Sequence, residues 1–184
     1  MPDRVTHLGM GERGWLDQLL APLRRGSTIL DLGCGSGEPL ARVLVDRGFR
    51  VTGIDIAAPM IQLARTRFPR ERWILGDMRT ERIDETFDGV LAWNCLSQLS
   101  AADQDMMAGR AARWLKPDGR LLFNAAPEQK AAGSADYRPG SRYCDDLDAV
   151  DYSDALSRRG LIEMAHVAED TACGGVGVWL ARKG

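Results

Sequence analysis

The sequence predicts an α/β protein built on a mostly parallel sheet with helices on both faces. Short apolar runs rich in β-branched residues alternate with amphipathic helical stretches along most of the chain. The first of these runs leads into a loop of alternating glycines, Gly33, Gly35 and Gly37, before the next helix begins. Only a short connection joins the last two runs, which favours an antiparallel hairpin at the end of an otherwise parallel sheet.

Length and charge limit the classes of protein that need to be considered. With 184 residues, 45% of them hydrophobic, the chain has the size of one domain and can bury a substantial core. Its 26 acidic and 24 basic residues leave a net charge of −2, which gives no electrostatic reason to expect a nucleic acid or a membrane surface as partner. The composition therefore favours a small-molecule partner.

The cysteines predict neither a metal site nor a disulfide framework. Cys34, Cys95, Cys144 and Cys173 are far apart and show neither CxxC pairing nor the spacing of a zinc site. The amino-terminal residues lack the apolar core of a signal peptide, and no run of about 18 apolar residues occurs. We therefore expect a reduced, cytoplasmic protein without a metal and without a membrane partner.

Hydrophobic periodicity places seven strands and the helices between them. The strands are predicted at residues 28–32, 50–54, 72–75, 87–93, 119–125, 161–167 and 175–181. The helices are predicted near residues 15–20, at 38–47, from 59 to 69, between 100 and 117, and from 148 to 160.

Capping residues support these helix boundaries. Ser36 is predicted to cap the second helix, with Pro39 in its first turn, where the missing N–H is tolerated. Ser100 and Asp148 have the residue types that favour the N-terminal cap of a later helix. Pro117 is predicted to stop the helix that precedes the fifth strand.

The glycine loop is the feature most informative about function. Because glycine lacks a Cβ, Gly33, Gly35 and Gly37 can adopt positive φ and let backbone N–H groups approach a bound molecule closely. Asp31, directly before the loop, would repel a pyrophosphate but would tolerate a cationic ligand or one that carries an ammonium group. The loop therefore predicts close contact with a ligand that is not held through phosphates.

Acidic residues after the second and third strands indicate an adenosine-containing ligand. Ligands of open parallel sheets bind at the carboxyl ends of the strands, where Asp55 and Asp77 are expected. An acid in the position of Asp55 commonly accepts both ribose hydroxyls of an adenosine cofactor. Asp77 can accept a hydrogen bond from the adenine amino group, while Met78 offers its backbone N–H and an apolar wall to the ring.

Taken in order, these motifs resemble the class I S-adenosylmethionine-dependent methyltransferases. The resemblance covers residues 28–125, and the ordered set of motifs is far more specific than the glycine loop alone. Its motifs are Leu30-Asp31-Leu32-Gly33-Cys34-Gly35-Ser36-Gly37, Gly53-Ile54-Asp55, Gly76-Asp77-Met78, Phe87-Asp88-Gly89-Val90, and residues 115–122. The resemblance implies a Rossmann-like, doubly wound, seven-stranded sheet that is mostly parallel and has an antiparallel last strand.

The resemblance also implies S-adenosylmethionine as cofactor. Asp31 and the glycine loop would hold its methionine part, Asp55 the ribose, and Asp77 with Met78 the adenine. The backbone carbonyl of Trp93 would face the methionine ammonium group. The predicted cofactor-binding residues are Asp31, Gly33, Cys34, Gly35, Gly37, Asp55, Ile56, Asp77, Met78, Trp93 and Asn94.

The domain prediction is a single methyltransferase domain over residues 1–184. Its parts are an N-terminal helical cap (1–26), a cofactor-binding core (28–125), a candidate substrate-covering loop (126–147) and a C-terminal helix and hairpin (148–184). The loop shows neither helical nor strand periodicity, and loops of that length are usually functional or disordered. Its side chains Tyr137, Arg138, Arg142 and Tyr143 are predicted to cover the acceptor, with a mobile surface loop as the alternative.

The predicted reaction is methyl transfer to the oxygen, nitrogen or sulfur of a small molecule, mainly by proximity and orientation in a water-poor pocket. The candidates for catalytic or acceptor contacts are His7, Asn94, Gln98, Tyr137 and Tyr143. Many relatives of this type carry a histidine near the position of Gln98, and glutamine is not a base. This departure favours orientation of the acceptor through hydrogen bonds from Asn94 and Gln98. The identity of the acceptor and the oligomeric state stay open.

Two alternative functions remain beside methyl transfer. A catalytically silent S-adenosylmethionine-binding or regulatory protein would also fit, because the sequence shows no evident catalytic base. An NAD(P)-dependent oxidoreductase is less favoured, because Glu38 stands where a GxGxxG loop has its third glycine.

Overall fold

A seven-stranded sheet forms the centre of the molecule, for which a computed structural model describes residues 8–125 and 147–184. The strands are β1 (Thr28–Leu32), β2 (Arg50–Asp55), β3 (Arg72–Leu75), β4 (Phe87–Ala92), β5 (Leu115–Ala125), β6 (Leu161–Asp170) and β7 (Val176–Lys183). They lie in the order β3-β2-β1-β4-β5-β7-β6. The first five strands are parallel to their neighbours among themselves, whereas β7 is antiparallel to both β5 and β6.

Helices cover both faces of this sheet. They are α1 (Met10–Leu20), α2 (Leu40–Asp46), α3 (Ala58–Arg67), α4 (Ala101–Trp114) and α5 (Ala149–Ser157). Successive strand residues face opposite sides, so Ile29 joins a core with α1, α2 and α3, while Leu30 joins a second core with α4 and α5. The predicted fold class is therefore confirmed: a Rossmann-like, doubly wound sheet, mostly parallel, with an antiparallel last strand.

Two of the predicted helix caps are present. The hydroxyl of Ser100 accepts a hydrogen bond from the backbone N–H of Asp103 at 3.2 Å, at the start of α4. The carboxylate of Asp148 accepts one from the backbone N–H of Asp151 at 2.8 Å, at the start of α5. Each cap provides an acceptor for an N–H group that has no partner within its own helix.

The predicted cap at Ser36 is wrong. Helix α2 begins at Leu40, with Pro39 in the cap position and no side-chain cap. The Ser36 hydroxyl instead accepts a hydrogen bond from Arg67 at 2.7 Å, near the end of α3. The chain passes from the sheet edge to the helix through the residues between the glycine loop and Leu40. Ser36 therefore lies too far before the first turn of α2 to cap it.

The expected break at Pro117 is also wrong in its position. Helix α4 ends at Trp114, and β5 begins with the next residue and runs through Pro117. Between its pairing with Phe87 and the pairing of Arg120 with Gly89, β5 carries extra residues as a bulge, and Asp118 there has a φ of +61°. A bulge tolerates proline because the bulged residues need no ladder hydrogen bond.

The predicted hairpin of β6 and β7 is confirmed, and it extends further than the sequence pattern indicated. A short 3₁₀ turn at Thr171–Cys173 separates the strands, and Gly174 follows it with a φ of +83°.

No helix within residues 8–125 and 147–184 is both long enough and apolar enough to cross a membrane.

Candidate functional site

A cleft of about 230 Å³ opens at the carboxyl ends of β1 to β4. Its position agrees with the rule that open parallel sheets bind ligands at this edge. The predicted residues that line it are Gly33, Asp55, Ile56, Asp77, Met78 and Asn94. Gln98 and Arg79 also line the cleft, and the sequence analysis had assigned only the first of these two a role.

The glycine loop adopts the positive φ angles that its sequence predicts. Gly33, Gly35 and Gly37 have φ values of +67°, +53° and +80°. A Cβ on Gly33 would lie 2.6 Å from the Cβ of Cys95, so this position has no space for a side chain. A Cβ on Gly35 would meet nothing within 4 Å, so the space beside this residue is open.

The backbone N–H groups of the loop are used within the protein. Gly33 and Cys34 donate to the carbonyl of Ile54 at 2.9 and 3.1 Å, and Gly35 donates to the Asp55 carboxylate at 2.8 Å. Gly37 donates to the carbonyl of Cys34 at 3.0 Å. These four N–H groups therefore have partners within the protein, and contact between the loop and a ligand stays a prediction. The loop provides close approach of the backbone rather than a nest of donors for a phosphate.

Asp31 lies beneath the loop and is only 2% exposed. Burial, followed by charge repulsion from the nearby Asp55 carboxylate, raises the pKa of its carboxyl to about 7. A cationic group bound next to Asp31 would favour the ionised form and bring the pKa down again. The environment of Asp31 thus fits a ligand with an ammonium or sulfonium group.

Asp55 holds the loop and the following helix together. One oxygen of its carboxylate accepts from the N–H of Gly35 and the other from the N–H of Ala57, each at 2.8 Å. Ala57 directly precedes α3, so the same side chain fixes the glycine loop and the start of this helix. A carboxylate has about four lone-pair sites, so acceptors remain on Asp55 for hydroxyl groups in the cleft.

Asp77 is paired with Arg79, which the sequence analysis missed. The guanidinium of Arg79 binds both oxygens of the Asp77 carboxylate, with Nη2 to Oδ2 at 2.7 Å and Nε to Oδ1 at 3.0 Å. Its Nη1 also contacts Asp103 in the first turn of α4 at 3.0 Å. Hydrogen bonds from Arg79 hold the pKa of Asp77 below its ordinary value, so Asp77 stays an ionised acceptor.

The end of β4 carries amide side chains in place of carboxylates. Asn94 has a left-handed backbone, with a φ of +56°, and its N–H donates to Oδ1 of the buried Asn124 at 2.6 Å. Nδ2 of Asn124 donates to Oδ1 of Asn94 at 2.7 Å. Gln98 donates from Nε2 to the carbonyl of Asn94 at 3.2 Å. Both Asn94 and Gln98 are exposed at the cleft.

Helix α1 contacts the end of β4 through Trp93. Nε1 of this buried indole donates to Glu12 at 3.3 Å, and Glu12 also accepts from the N–H of Gly9 at 2.8 Å. The helix is fixed to the β6–β7 turn by a hydrogen bond of 2.6 Å from Trp15 to Asp170. The predicted N-terminal helix thus packs beside the cleft.

Cys34 and Cys95, near the cleft, lie in surroundings that disfavour the thiolate form. Cys34 and Cys95 are both buried, and burial followed by repulsion from Asp31 raises the pKa of each thiol above its ordinary value. Within the described parts of the chain, no group of three or more His, Cys, Asp and Glu side chains is placed to hold a metal ion.

Several predicted acceptor residues lie outside the described structure. They are His7, Tyr137, Arg138, Arg142 and Tyr143. Of the described acceptor candidates, the structure brings Asn94 and Gln98 together at one wall of the cleft. His166 stacks on Trp179, with ring centroids 4.2 Å apart, which gives it a packing role in the sheet.

Asn124 had a signal in the sequence that was not used. It is the polar residue within the apolar run 121–126, at the carboxyl end of a buried strand, where a polar side chain needs a partner. Arg79 and Glu12 had no comparable signal, since charged residues at exposed loop and helix positions are ordinary.

The residues present fit S-adenosylmethionine. The loop gives backbone access without side chains at Gly35, the buried Asp31 suits a cation, and Asp55 and Asp77 follow in the order of β2 and β3. These acids do not suit a pyrophosphate at the glycine loop, because Asp31 and Asp55 both lie against it.

Comparison with known proteins supports the same assignment. The family model described as "Methyltransferase domain" matches residues 29–119. The demethylmenaquinone methyltransferase of Tropheryma whipplei strain Twist is 39% identical over 100 residues, covering 53% of this chain and 41% of that protein. The malonyl-[acyl-carrier protein] O-methyltransferase of Salmonella typhimurium is 33% identical over 127 residues, covering 65% of this chain and 49% of that protein.

A solved structure extends the likeness along nearly the whole chain. The TehB-like SAM-dependent methyltransferase from Corynebacterium glutamicum superposes with a TM-score of 0.71 at 26% identity, covering 95% of this chain and 88% of that one. The chain spans about half the length of the curated relatives that it matches. From its motifs, its fold and these relatives, the chain belongs to the class I S-adenosylmethionine-dependent methyltransferases.

Proposed function

We propose that this protein transfers a methyl group from S-adenosylmethionine to a small-molecule acceptor. The observation that carries the proposal is the buried Asp31 directly before a glycine loop that borders the cleft through Gly33. A buried acid with a raised pKa at that place is suited to a cationic cofactor. Asp55 and Asp77 support the adenosine part of the same assignment, since both line the cleft.

Each part of the cofactor has a proposed contact. Asp31, Gly33, Cys34, Gly35 and Gly37 would hold the methionine part. Trp93 and Asn94 would border its ammonium group from the end of β4, the carbonyl of Trp93 facing it. Asp55 with Ile56 would bind the ribose, and Asp77 with Met78 the adenine. These contacts are supported by the location of their residues at one edge of the sheet.

The chemistry requires little from the protein beyond placement. When bound, S-adenosylmethionine supplies a methyl group on a positively charged sulfur, which an acceptor lone pair takes while the carbon–sulfur electrons stay on sulfur. The chain's own residues hold the cofactor in one orientation, exclude water and direct the acceptor along the line of attack. Asn94 and Gln98, exposed at the wall of the cleft, are the described side chains suited to orient the acceptor.

The other parts of the proposal concern the acceptor and its surroundings. We infer a small-molecule acceptor, with no nucleic acid or membrane as partner, from the balanced charge of the chain. We infer a cytoplasmic location from its scattered cysteines, which show no disulfide framework. Residues 126–147, with Tyr137 and Tyr143, would cover the acceptor, and His7 would contact it from the N-terminal cap. The methylated atom of this acceptor would be an oxygen, a nitrogen or a sulfur.

One observation favours a second candidate function, a catalytically silent S-adenosylmethionine-binding protein. Of the described side chains that line the cleft, the carboxylates of Asp55 and Asp77 are held by hydrogen bonds, and Gln98 is not a base. An acceptor that must lose a proton would then depend on residues outside the described ranges.

Calorimetry and turnover test the proposal in sequence. Titration with S-adenosylhomocysteine and with NAD should give binding of the first only; binding of NAD alone would contradict the assignment. Incubation of the protein with S-adenosylmethionine and a metabolite panel should then release S-adenosylhomocysteine with some members. Binding without any turnover across a broad panel would support the silent protein.

A further inference from the structure

The backbone of Asn94 fixes the orientation of a neighbouring amide. Its N–H lies 2.6 Å from one side-chain atom of Asn124. A backbone N–H can only donate, so the atom that faces it must be the carboxamide oxygen of Asn124. The nitrogen and oxygen of an amide are otherwise hard to tell apart, but here the partner removes the ambiguity.

The same logic then fixes the amide of Asn94. With its oxygen on the backbone N–H, Asn124 has only its NH₂ group left, and this group lies 2.7 Å from a side-chain atom of Asn94. That atom must be the acceptor, Oδ1 of Asn94. The Nδ2 group of Asn94 is therefore the end that points away from Asn124, and no described residue accepts a hydrogen bond from it.

Asn124 is buried and held in one orientation, whereas Asn94 is exposed. Asn124 is 3% exposed in β5, so reversing its amide would leave a buried donor facing a donor. Asn94 is exposed and lines the cleft. The buried partner thus decides which polar group the exposed partner offers.

The strand order places this NH₂ group beyond the cofactor. Along the sheet edge, β3, β2 and β1 carry the proposed adenine, ribose and methionine contacts, and β4 comes next. Asn94 follows β4 and lines the cleft, and because its Oδ1 is held by Asn124 of β5, its Nδ2 is the end left for a ligand there. The next position in this series is that of the methyl acceptor.

We propose that Asn94 donates a hydrogen bond from Nδ2 to the methyl acceptor, and that Asn124 is the positioning residue that keeps this donor outward. The site then selects acceptors with a hydrogen-bond-accepting oxygen beside or at the methylated atom, such as a carboxylate, phenolate, enolate or carbonyl. An ammonium compound, which can only donate, is disfavoured. The inference rests on the proposed function and names the acceptor class for it.

Two probes that share a ring test this preference. The full-length protein is saturated with S-adenosylhomocysteine and titrated with benzoate or with benzylammonium, followed by calorimetry and by the ¹⁵N resonance of the Asn94 side chain. Benzoate should bind at least about fivefold more tightly, the effect of one net hydrogen bond. It should also shift the Asn94 NH₂ signals, whereas benzylammonium should not.

Reversing the donor provides the decisive variants. In Asn124→Asp, the new carboxylate still accepts from the Asn94 N–H but also requires the NH₂ of Asn94, which turns the Asn94 oxygen toward the cleft. The preference for benzoate should be lost or reversed, and the Asn94 response to benzoate should disappear. Ser97→Asp is the matched control, because it adds the same charge in the segment after β4 at a residue that neither lines the cleft nor bonds to the amide pair, and the Asn94 response should persist.

The outcomes separate this inference from the function on which it rests. If Asn124→Asp fails to fold, the exposed Asn94→Asp gives the same test, because it replaces the outward donor by an acceptor and should favour benzylammonium. Failure to bind S-adenosylhomocysteine contradicts the proposed function. Binding of S-adenosylhomocysteine with benzoate no tighter than benzylammonium, or with an unchanged preference in the variants, contradicts only the role given to Asn94.

Discussion

The two halves of the ligand edge use different chemistry for the same task of positioning. The half formed by β1, β2 and β3 presents the carboxylates Asp31, Asp55 and Asp77, whereas the half formed by β4 and β5 presents the amides Asn94 and Asn124. Burial of Asp31 disfavours its charged form. The ionised carboxylate therefore lowers the stability of the ligand-free protein but can bind a cationic ligand. Both ends of the Asn124 amide are hydrogen-bonded to Asn94, so this pair stabilises the fold while Nδ2 of Asn94 is left for the site.

The largest expected effect is that of Asp31→Asn. Since the folded-state pKa of Asp31 is raised to about 7 from 3.8, the folded protein binds this proton more tightly than the unfolded chain. The stabilisation that this bound proton gives the folded protein is fully present below about pH 4 and is lost as the pH rises through about 7. At about pH 8 the variant should gain up to about 4 kcal/mol in unfolding free energy and lose about 100-fold in affinity for S-adenosylhomocysteine.

Asp88→Asn is the matched control for this variant. Asp88 lies at the opposite end of the sheet, where burial raises its pKa but hydrogen bonds from Thr28 and Lys116 lower it more, so its net pKa is lowered. The ionised Asp88 carboxylate therefore stabilises the folded protein at pH values above its ordinary pKa, and this stabilisation is lost as the pH falls. The control should therefore lose stability at neutral pH and keep its affinity. A loss of stability in Asp31→Asn at about pH 8 would contradict the burial argument.

The affinity of the wild type should also depend on pH because of Asp31. Below its pKa of about 7 the carboxyl must release a proton before it can balance a cationic ligand. Affinity for S-adenosylhomocysteine should rise by up to about tenfold per pH unit below 7 and level off above it. Calorimetry in buffers of different ionisation enthalpy would detect the released proton, and Asp31→Asn should show neither effect.

Asn124→Ala should have the opposite pattern to Asp31→Asn. It removes the acceptor of the Asn94 N–H, which then lacks its protein partner in a strained left-handed backbone. We expect a loss of about 2 kcal/mol in unfolding free energy, measured by urea denaturation. Affinity for S-adenosylhomocysteine should change less than about threefold, because this hydrogen bond lies on the acceptor side. A variant as stable as the wild type would show that the amide pair does not contribute to the free energy of unfolding.

Asp77→Asn should weaken cofactor binding by about tenfold, the effect of losing one charge-assisted hydrogen bond. The reason is that Arg79 keeps Asp77 ionised, which suits the hydrogen bond that we propose it accepts from the adenine amino group. S-inosylhomocysteine lacks this amino group, so its affinity should hardly change. Equal losses for both compounds would mean that Asp77 acts only through its pairing with Arg79.

The smallest effect is expected for Arg72→Ala. Arg72 pairs with Glu85 at the surface, and both side chains are more than half exposed. Such pairs contribute less than about 0.5 kcal/mol, because water and salt screen them. Thermal denaturation and S-adenosylhomocysteine binding should both match the wild type, which makes this variant the baseline for the others.

The fold was largely predictable because its signals are local. The alternation of strand and helix periods predicted each strand of the sheet, and residue types at Ser100 and Asp148 predicted two caps. Failures arose where the path of the chain overruled a local preference. Ser36 is a good capping residue, but α2 begins four residues later, and Pro117 fits inside β5 because a bulge needs no donor there.

The sequence by itself determined the chemistry along the half of the edge where we propose that the cofactor binds. Asp31, the glycines, Asp55 and Asp77 follow strands in the chain, and strand order turns that sequence into a line of subsites. The tertiary structure alone decided which groups are charged, occupied or free. Burial sets the pKa of Asp31, Arg79 holds Asp77, and Asn124, thirty residues away, decides which end of the Asn94 amide faces the cleft. These properties depend on what packs against a side chain, and that neighbour comes from a distant part of the chain.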